Sequence, residues 1–324
     1  MRVRIVGLGQ GLPQQVVTNA MIAPALGVTA EWIESRTGVQ ERRIAADDEY
    51  ASTLATVALK QALSQAGLLA SALDLVVVAT TTPDHRIPPT SIAVCQAVGA
   101  GNAGAFDLNA ACSGFVHALI TAAALTGTGP IRRTAVVGVD VLSRIIDPHD
   151  RNTAGLLGDG AAAVIVEPAP DVAELRYAFG CDGSRPEDVY IAAGGSKLPT
   201  TRAGVRPEDH YLRMSGGATY KLAVRSLVEL ANRLGMDDVD LVVPHQANVR
   251  ILRECASVLG LRPEQYVVNI SRYGNTSAAS APLALFDAWA EGRLKPGHRV
   301  MLLGFGAGFT WGGAVLEWTM DEPG

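Results

Sequence analysis

The sequence predicts an α/β fold built twice. Short apolar runs alternate with helix-length segments along the whole chain, the pattern of strands covered by helices. Two of those runs also recur, in the same order, about 166 residues later, and an ordered repeat at one spacing marks a duplicated unit. VRIVG (3–7), LVVVAT (75–80), TAVVGVD (134–140), AAAVIVE (161–167), LVVPH (241–245), YVVNI (266–270) and VMLLGFG (300–306) read as strands. Most are apolar throughout, as strands buried on both faces are. Helical segments fall at 50–66, 90–99, 113–126, 217–234, 247–259 and 278–291. The echo joins LDLVVVAT (73–80) to VDLVVPHQ (239–246), and RTAVVGVD (133–140) to HRVMLLGF (298–305). DGAAAVIVE (159–167) and WGGAVLEW (311–318) are also alike. The divide is expected at EPAPD, giving halves of residues 1–170 and 171–324, with a site between them.

Taken from the N-terminus, MRVRIVGLGQGLP reads as a first strand and then a glycine turn. Its apolar run is too short for a signal peptide. GLGQG has Leu12 where a dinucleotide-binding fingerprint needs its last glycine. No stretch of about 18 unbroken apolar residues follows, so no membrane span is expected. With 48% hydrophobic and 18% charged residues, the 324-residue chain has enough apolar side chains for a large core. A net charge of −5 without a basic run argues against nucleic acid as a partner. Cys95, Cys112, Cys181 and Cys255 are spaced neither as a zinc site nor as a dense disulfide framework. A cytoplasmic protein with free thiols and no metal is expected.

Chemistry concentrates at four places. Cys112 follows the strand-like AFDLNA and precedes FVHALITAAAL, a helix apolar on every side. On residues alone it is either a small buried hydrophobe or a nucleophile. A helix N-terminus would lower its pKa and offer N–H groups to an oxyanion. His245 in PHQAN (244–248) ends a strand, where α/β sheets bind ligands. Asn275 in NISRYGNTSAAS (269–280) falls on a strand-to-helix loop, although asparagine beside glycine is also ordinary turn chemistry. GFGAGFTWGG (304–313) lets backbone approach a ligand but lacks the Lys-Ser/Thr of a phosphate loop. His117 reads as a core residue; His85, His149, His210 and His298 read as exposed.

Together ACSGF (111–115), PHQAN (244–248), YGNTSAAS (273–280) and GFGAGFTWG (304–312) resemble the β-ketoacyl-acyl carrier protein synthase III family, one of the thiolase-like condensing enzymes. EWIESRTGVQERR (31–43) and DVLSRIIDPHDRNTAGLLGDGAA (140–162) extend the likeness nearly end to end. The resemblance implies a thiolase-like duplicated five-layered α-β-α-β-α fold and a homodimer. It implies a catalytic triad of Cys112, His245 and Asn275, and an oxyanion hole from the N–H groups of Cys112 and Gly306. Cys112 would take an acyl group from coenzyme A, and His245 and Asn275 would stabilise the enolate of malonyl-acyl carrier protein. Trp32 and Arg151 would clamp the adenine of acyl-CoA, a substrate and not a cofactor. Arg36 would hold phosphate, Gly216 and Asn248 would line the pantetheine arm, and Arg250 would meet the carrier protein. Ile87, Leu142, Leu157 and Phe305 would shape the acyl pocket, with Ile87 on a segment, TTPDHRIPPTS (81–91), that the dimer partner uses to close it. Ile87 and Leu157 stand where aromatics are common, which leaves room for branched or longer acyl groups. Acyl transfer to a hydroxyl, amine or thiol is the alternative activity; the presence of Asn275 favours condensation. The resemblance leaves fatty-acid and polyketide pathways undivided.

Overall fold

Strands that are apolar on both faces need helices on both faces. A computed structural model, which describes residues 1–322, supplies them. The strands are β1 (Val3–Gly11), β2 (Gln15–Thr18), β3 (Glu41–Ile44), β4 (Leu75–Ala79), β5 (Gly104–Leu108), β6 (Thr134–Val141), β7 (Asp159–Pro168), β8 (Arg176–Cys181), β9 (Val189–Tyr190), β10 (Arg213–Met214), β11 (Leu241–Pro244), β12 (Arg299–Gly306) and β13 (Thr310–Glu317). The helices are α1 (Asn19–Leu26), α2 (Ala30–Thr37), α3 (Ala51–Ala66), α4 (Thr90–Val98), α5 (Gly114–Leu125), α6 (Gly216–Leu234), α7 (Val249–Val258), α8 (Ile270–Tyr273) and α9 (Ser280–Ala290).

One sheet has the order β1-β7-β6-β4-β5 and the other β11-β12-β13-β8. Alternate residues of each strand go to different cores. Val137 and Val139 of β6 join α3 and α4, whereas Val136 joins Phe115 and Leu119 of α5 and Leu285 of α9. Leu302 of β12 enters that same central cluster, while Met301 and Leu303 pack with Leu227 and Leu230 of α6. The result is five layers, α-β-α-β-α, with α5 and α9 between the two sheets. No helix among the described residues is long and apolar enough to cross a membrane.

The duplication is exact in hydrogen bonding. Leu75 of β4 pairs in parallel with Thr134 of β6, and Leu241 of β11 pairs in parallel with Val300 of β12. Just before each pair, Asp74 N–H donates to Arg133 O, as Asp240 N–H does to Arg299 O, both at 2.9 Å. The carboxylates return the contact, Asp74 accepting from Arg133 N–H at 2.9 Å and Asp240 from Arg299 N–H at 2.7 Å. This register sets Arg133 against Arg299, one residue beyond the His298 matched by the sequence echo.

Two local expectations change. GLGQG is not a turn but the second half of β1. Gly7, Gly9 and Gly11 share one face of the strand, and a methyl on any of them would run into a carbonyl of α3, at Ala62, Ala58 or Leu54. Bare glycines let helix and strand backbones touch. YVVNI is not a full strand. Tyr266 forms a single bridge with Val242, and Asn269, with ψ near 9°, turns the chain into α8. The antiparallel β2–β3 pair, α1, α2, β8 and the short β9–β10 pair are additions to the elements read from the sequence.

Gly9→Val should lower stability by about 1–3 kcal/mol through overpacking against α3. Urea unfolding reads this directly. Gly101→Ala, at an exposed glycine where a Cβ meets nothing within 4 Å, should change stability by less than about 0.5 kcal/mol.

Candidate active site

Cys112 and His245 each follow the end of a strand, and Asn275 follows α8 rather than the strand expected there. After β5 the chain enters a 3-10 turn, Ala111–Ser113, that leads directly into α5. Ala111 adopts φ +48°, a conformation that non-glycine residues avoid. Ala111 N–H donates to Asn109 Oδ1 at 3.1 Å, and the Ser113 hydroxyl donates to Ala110 O at 2.7 Å. These bonds close a tight elbow with Cys112 at its apex. α5 is buried along Phe115, Val116, Ala118, Leu119, Ile120, Ala122 and Ala123, which fixes the elbow in the central layer.

His245 follows β11. Its N–H donates to Leu303 O at 2.7 Å, and the residue is 2% exposed with Nδ1 unpartnered. Gln246, buried beside it, holds the turn. Its amide donates to Pro244 O and Val267 O at 2.9 and 3.1 Å, and its oxygen accepts from Asn269 N–H at 3.0 Å. Asn275 is fixed at both ends of its residue. Its N–H donates to Leu156 O, and its C=O accepts from Gly158 N–H. Its side-chain oxygen accepts from Ser277 N–H at 2.9 Å, and Nδ2 reaches Ala247 O at 3.4 Å. Asp287 steadies the preceding turn by accepting from Asn269, Arg272 and Tyr273.

The three residues line one cavity of about 480 Å3, together with Phe305, Gly306, Trp32, Arg36, Arg151, Gly216, Asn248 and Arg250. A groove of similar volume beside α2 and α7 holds Glu31, Glu34 and Arg253 but none of these groups; convergent polar groups assign the chemistry to the first. Gly306 abuts the elbow, and a Cβ there would stand 2.7 Å from Cys112 N. Phe305 stacks on Phe309 with centroids 5.3 Å apart. The Arg36 and Arg151 guanidiniums lie 5.7 and 5.8 Å from the Trp32 ring. Asn248 caps α7 by accepting from Arg250 N–H at 2.9 Å, and its amide donates to Arg36 O at 3.1 Å. Arg250 lies over Tyr220.

Two acyl-pocket residues read from the sequence lie outside the lining of this cavity. Leu142 and Leu157 are both 4% exposed and belong to the core beneath the cavity. Leu157 forms a backbone bridge with Asn275, and its neighbour Leu156 lines the cavity instead. Ile87 is 88% exposed and away from the cavity of its own chain. The roles of Gln246, Asp287 and Asp140 are not legible in the sequence, because their partners come from other segments of the chain.

The electrostatics also differ from expectation. Burial pushes the Cys112 thiol up to about 11; an interaction with Ser277 opposes this and the Asp140 charge adds to it. The 3-10 turn separates Cys112 from the first residue of α5. Burial pulls His245 down to about 3. At neutral pH the pair is therefore an uncharged thiol and an uncharged imidazole.

Two family models match the chain: 3-oxoacyl-[acyl-carrier-protein (ACP)] synthase III over residues 106–183, and its C-terminal part over 230–318. A β-ketoacyl-[acyl-carrier-protein] synthase III of Symbiobacterium thermophilum is 42% identical over 323 residues, 98% of each chain. The crystal structure of the 3-oxoacyl-(acyl carrier protein) synthase III of Pseudomonas aeruginosa superposes with a TM-score of 0.90 at 38% identity, covering 100% of both chains. That of the priming β-ketosynthase from the R1128 polyketide biosynthetic pathway gives 0.91 at 34% identity, covering 99% of this chain and 97% of its own.

Alkylation of Cys112 by iodoacetamide should climb steadily with pH and still be rising at pH 9, because thiolate forms only as the raised thiol titrates. A rate plateau between pH 5 and 8 would instead reveal a thiolate–imidazolium pair.

Proposed function

The chain belongs to the β-ketoacyl-acyl carrier protein synthase III family, and from that premise we propose that it condenses an acyl group from acyl-CoA with malonyl-acyl carrier protein. One observation carries this reading: Cys112, His245 and Asn275 line a single cavity that also holds the Trp32–Arg36–Arg151 cluster.

In the first half-reaction the Cys112 sulfur attacks the acyl thioester, a C–S bond forms, and coenzyme A leaves with the proton that the thiol gives up. The carbonyl oxygen gains negative charge beside the N–H groups of Cys112 and Gly306. In the second, His245 and Asn275 donate to the thioester oxygen of the malonyl group. CO2 leaves, the enolate carbon attacks the acyl carbonyl, the C–S bond to Cys112 breaks, and the released sulfur takes up a proton from water to restore the thiol. Donors fixed in advance are worth most here, since they need no rearrangement as charge develops. A neutral His245 suits this role with its proton on Nε2. The unpartnered Nδ1 is then a bare lone pair, which burial tolerates better than an unpartnered N–H. Phe305 sets an apolar surface near the departing carboxylate and disfavours its charged form. Trp32 and Arg151 suit adenine, and Arg36 suits phosphate. Gly216 and Asn248 line the pantetheine arm, and Arg250, exposed on α7, would meet the acidic carrier.

A second copy completes the unit. β5 is a sheet edge with half-buried Phe106 and Leu108, and Ile87 projects into solvent; both support a homodimer in which Ile87 closes the partner's acyl pocket. The free thiols suit the cytoplasm.

Intact-mass spectrometry tests the reading. Wild type incubated with a panel of acyl-CoAs should gain one acyl group, and malonyl-acyl carrier protein should discharge it with CO2 release. Cys112→Ala should gain none. Asn275→Ala should load, yet discharge about a hundredfold more slowly. A load that only a hydroxyl, amine or thiol acceptor removes would overturn condensation in favour of simple transfer. Light scattering should give twice the 33.9 kDa chain mass, and a monomer would remove Ile87 from the pocket.

A further inference from the structure

The duplicated fold contains a second elbow. Ser277 has φ +51° against +48° for Ala111, and these are the non-glycine residues with positive φ among those described. A 3-10 turn, Ser277–Ala279, again leads straight into a helix, α9. Ala278 therefore stands where Cys112 stands. The strand end facing each elbow belongs to the other half. Gly306, ending β12, faces Cys112, and Asp140, near the end of β6, faces Ala278. At the first elbow a glycine leaves the apex N–H open to the cavity. At the second, Asp140 Oδ2 accepts the Ala278 N–H at 3.1 Å.

The other oxygen of Asp140 is equally committed. Oδ1 accepts from the hydroxyls of Thr80, Thr81 and Thr82 at 3.1, 2.9 and 3.0 Å, and from the N–H groups of Thr81 and Thr82 at 2.7 and 3.1 Å. The residue is fully buried. It thus ties the start of the 80–89 segment, from the first half, to the elbow of the second.

We propose that Asp140 is a positioning residue whose carboxylate fills the vacant oxyanion hole of the second elbow and so holds Asn275 in its working orientation. The linkage is short. Asp140 fixes Ala278 N–H, the adjacent Ser277 N–H holds Asn275 Oδ1 at 2.9 Å, and that bond leaves the amide nitrogen as the donor end. A misplacement of about 1 Å at a reacting centre can slow a reaction about a hundredfold.

This rests on the condensing reading, and the test separates the two. Asp140→Asn keeps the shape but has one acceptor oxygen for donors that now use two, so an NH2 group must face one set of them. Single-turnover loading of Cys112 by acyl-CoA, which does not use Asn275, should stay within about threefold of wild type. Removing a negative charge beside Cys112 also favours the thiolate. Discharge by malonyl-acyl carrier protein should fall at least about tenfold, and Asp140→Asn combined with Asn275→Ala should be no slower than Asn275→Ala alone. Equal losses in both steps, or no loss in discharge, would overturn the proposal. Wild type that never condenses defeats the parent reading instead. If Asp140→Asn does not fold, Asp140→Ser is read in the same way; if neither folds, Asp140 is a folding residue and the positioning role is overturned.

Discussion

The structure depends on a reciprocal contact: each half seats its elbow on the central strand of the other. A Cβ on Gly304 of β12 would stand 2.9 Å from Ser113 Cα, and one on Gly138 of β6 would run into the Ala278 carbonyl. Both strands must be bare at these points, because overpacking a close backbone contact is destabilising. Gly138 and Gly304 occupy the same place in the two halves, so one steric rule is applied twice. With the elbows seated, α5 and α9 are carried between the sheets. There Phe115, Leu119, Ala284 and Leu285 share one core with Leu75, Val136, Leu241 and Leu302. Neither half could bury its inner helix alone.

A symmetric frame offers two elbows, two facing strand ends and two positions beside them. Chemistry comes from how the copies differ. One elbow carries Cys112 opposite Gly306; the other carries Ala278 opposite Asp140. His245 follows Pro244, where the first half has Ala79 following Val78. The nucleophile thus comes from one half and its partner donors from the other, which is why the cavity lies at the junction. Burial raises the Cys112 thiol and lowers the His245 imidazole, so the resting floor of the cavity carries no charge on either. Charge arises there only during reaction, in surroundings where fixed N–H groups act strongly.

Much of this was legible because the informative signals are local. The apolar runs, the ordered echo and the four motifs each occupy a few consecutive residues, and the reactive residues they picked out line one cavity. Parity was harder. Leu156 and Leu157 are both apolar, and only the bridge between Leu157 and Asn275 decides which side chain turns to the cavity. Gly7, Gly9 and Gly11 resemble a turn when read along the chain; their reason is α3, which starts forty residues later. Asp140 gives no signal at all, since its partners at 80–82 and 278 meet only in the folded state.

The strain at the second elbow shows that it is more than a remnant of duplication. A non-glycine residue with positive φ costs on the order of 1–2 kcal/mol, and Ser277 carries that cost although its own elbow has Ala278, not a nucleophile, at the apex. At the first elbow the same conformation brings Cys112 N–H against Gly306. At the second it brings Ala278 N–H to Asp140 Oδ2. An extended backbone at Ser277 would aim the Ala278 N–H away from Asp140 and untie the elbow from β6. The two strained turns therefore serve one site, the first placing Cys112 and the second anchoring the segment that follows Asn275.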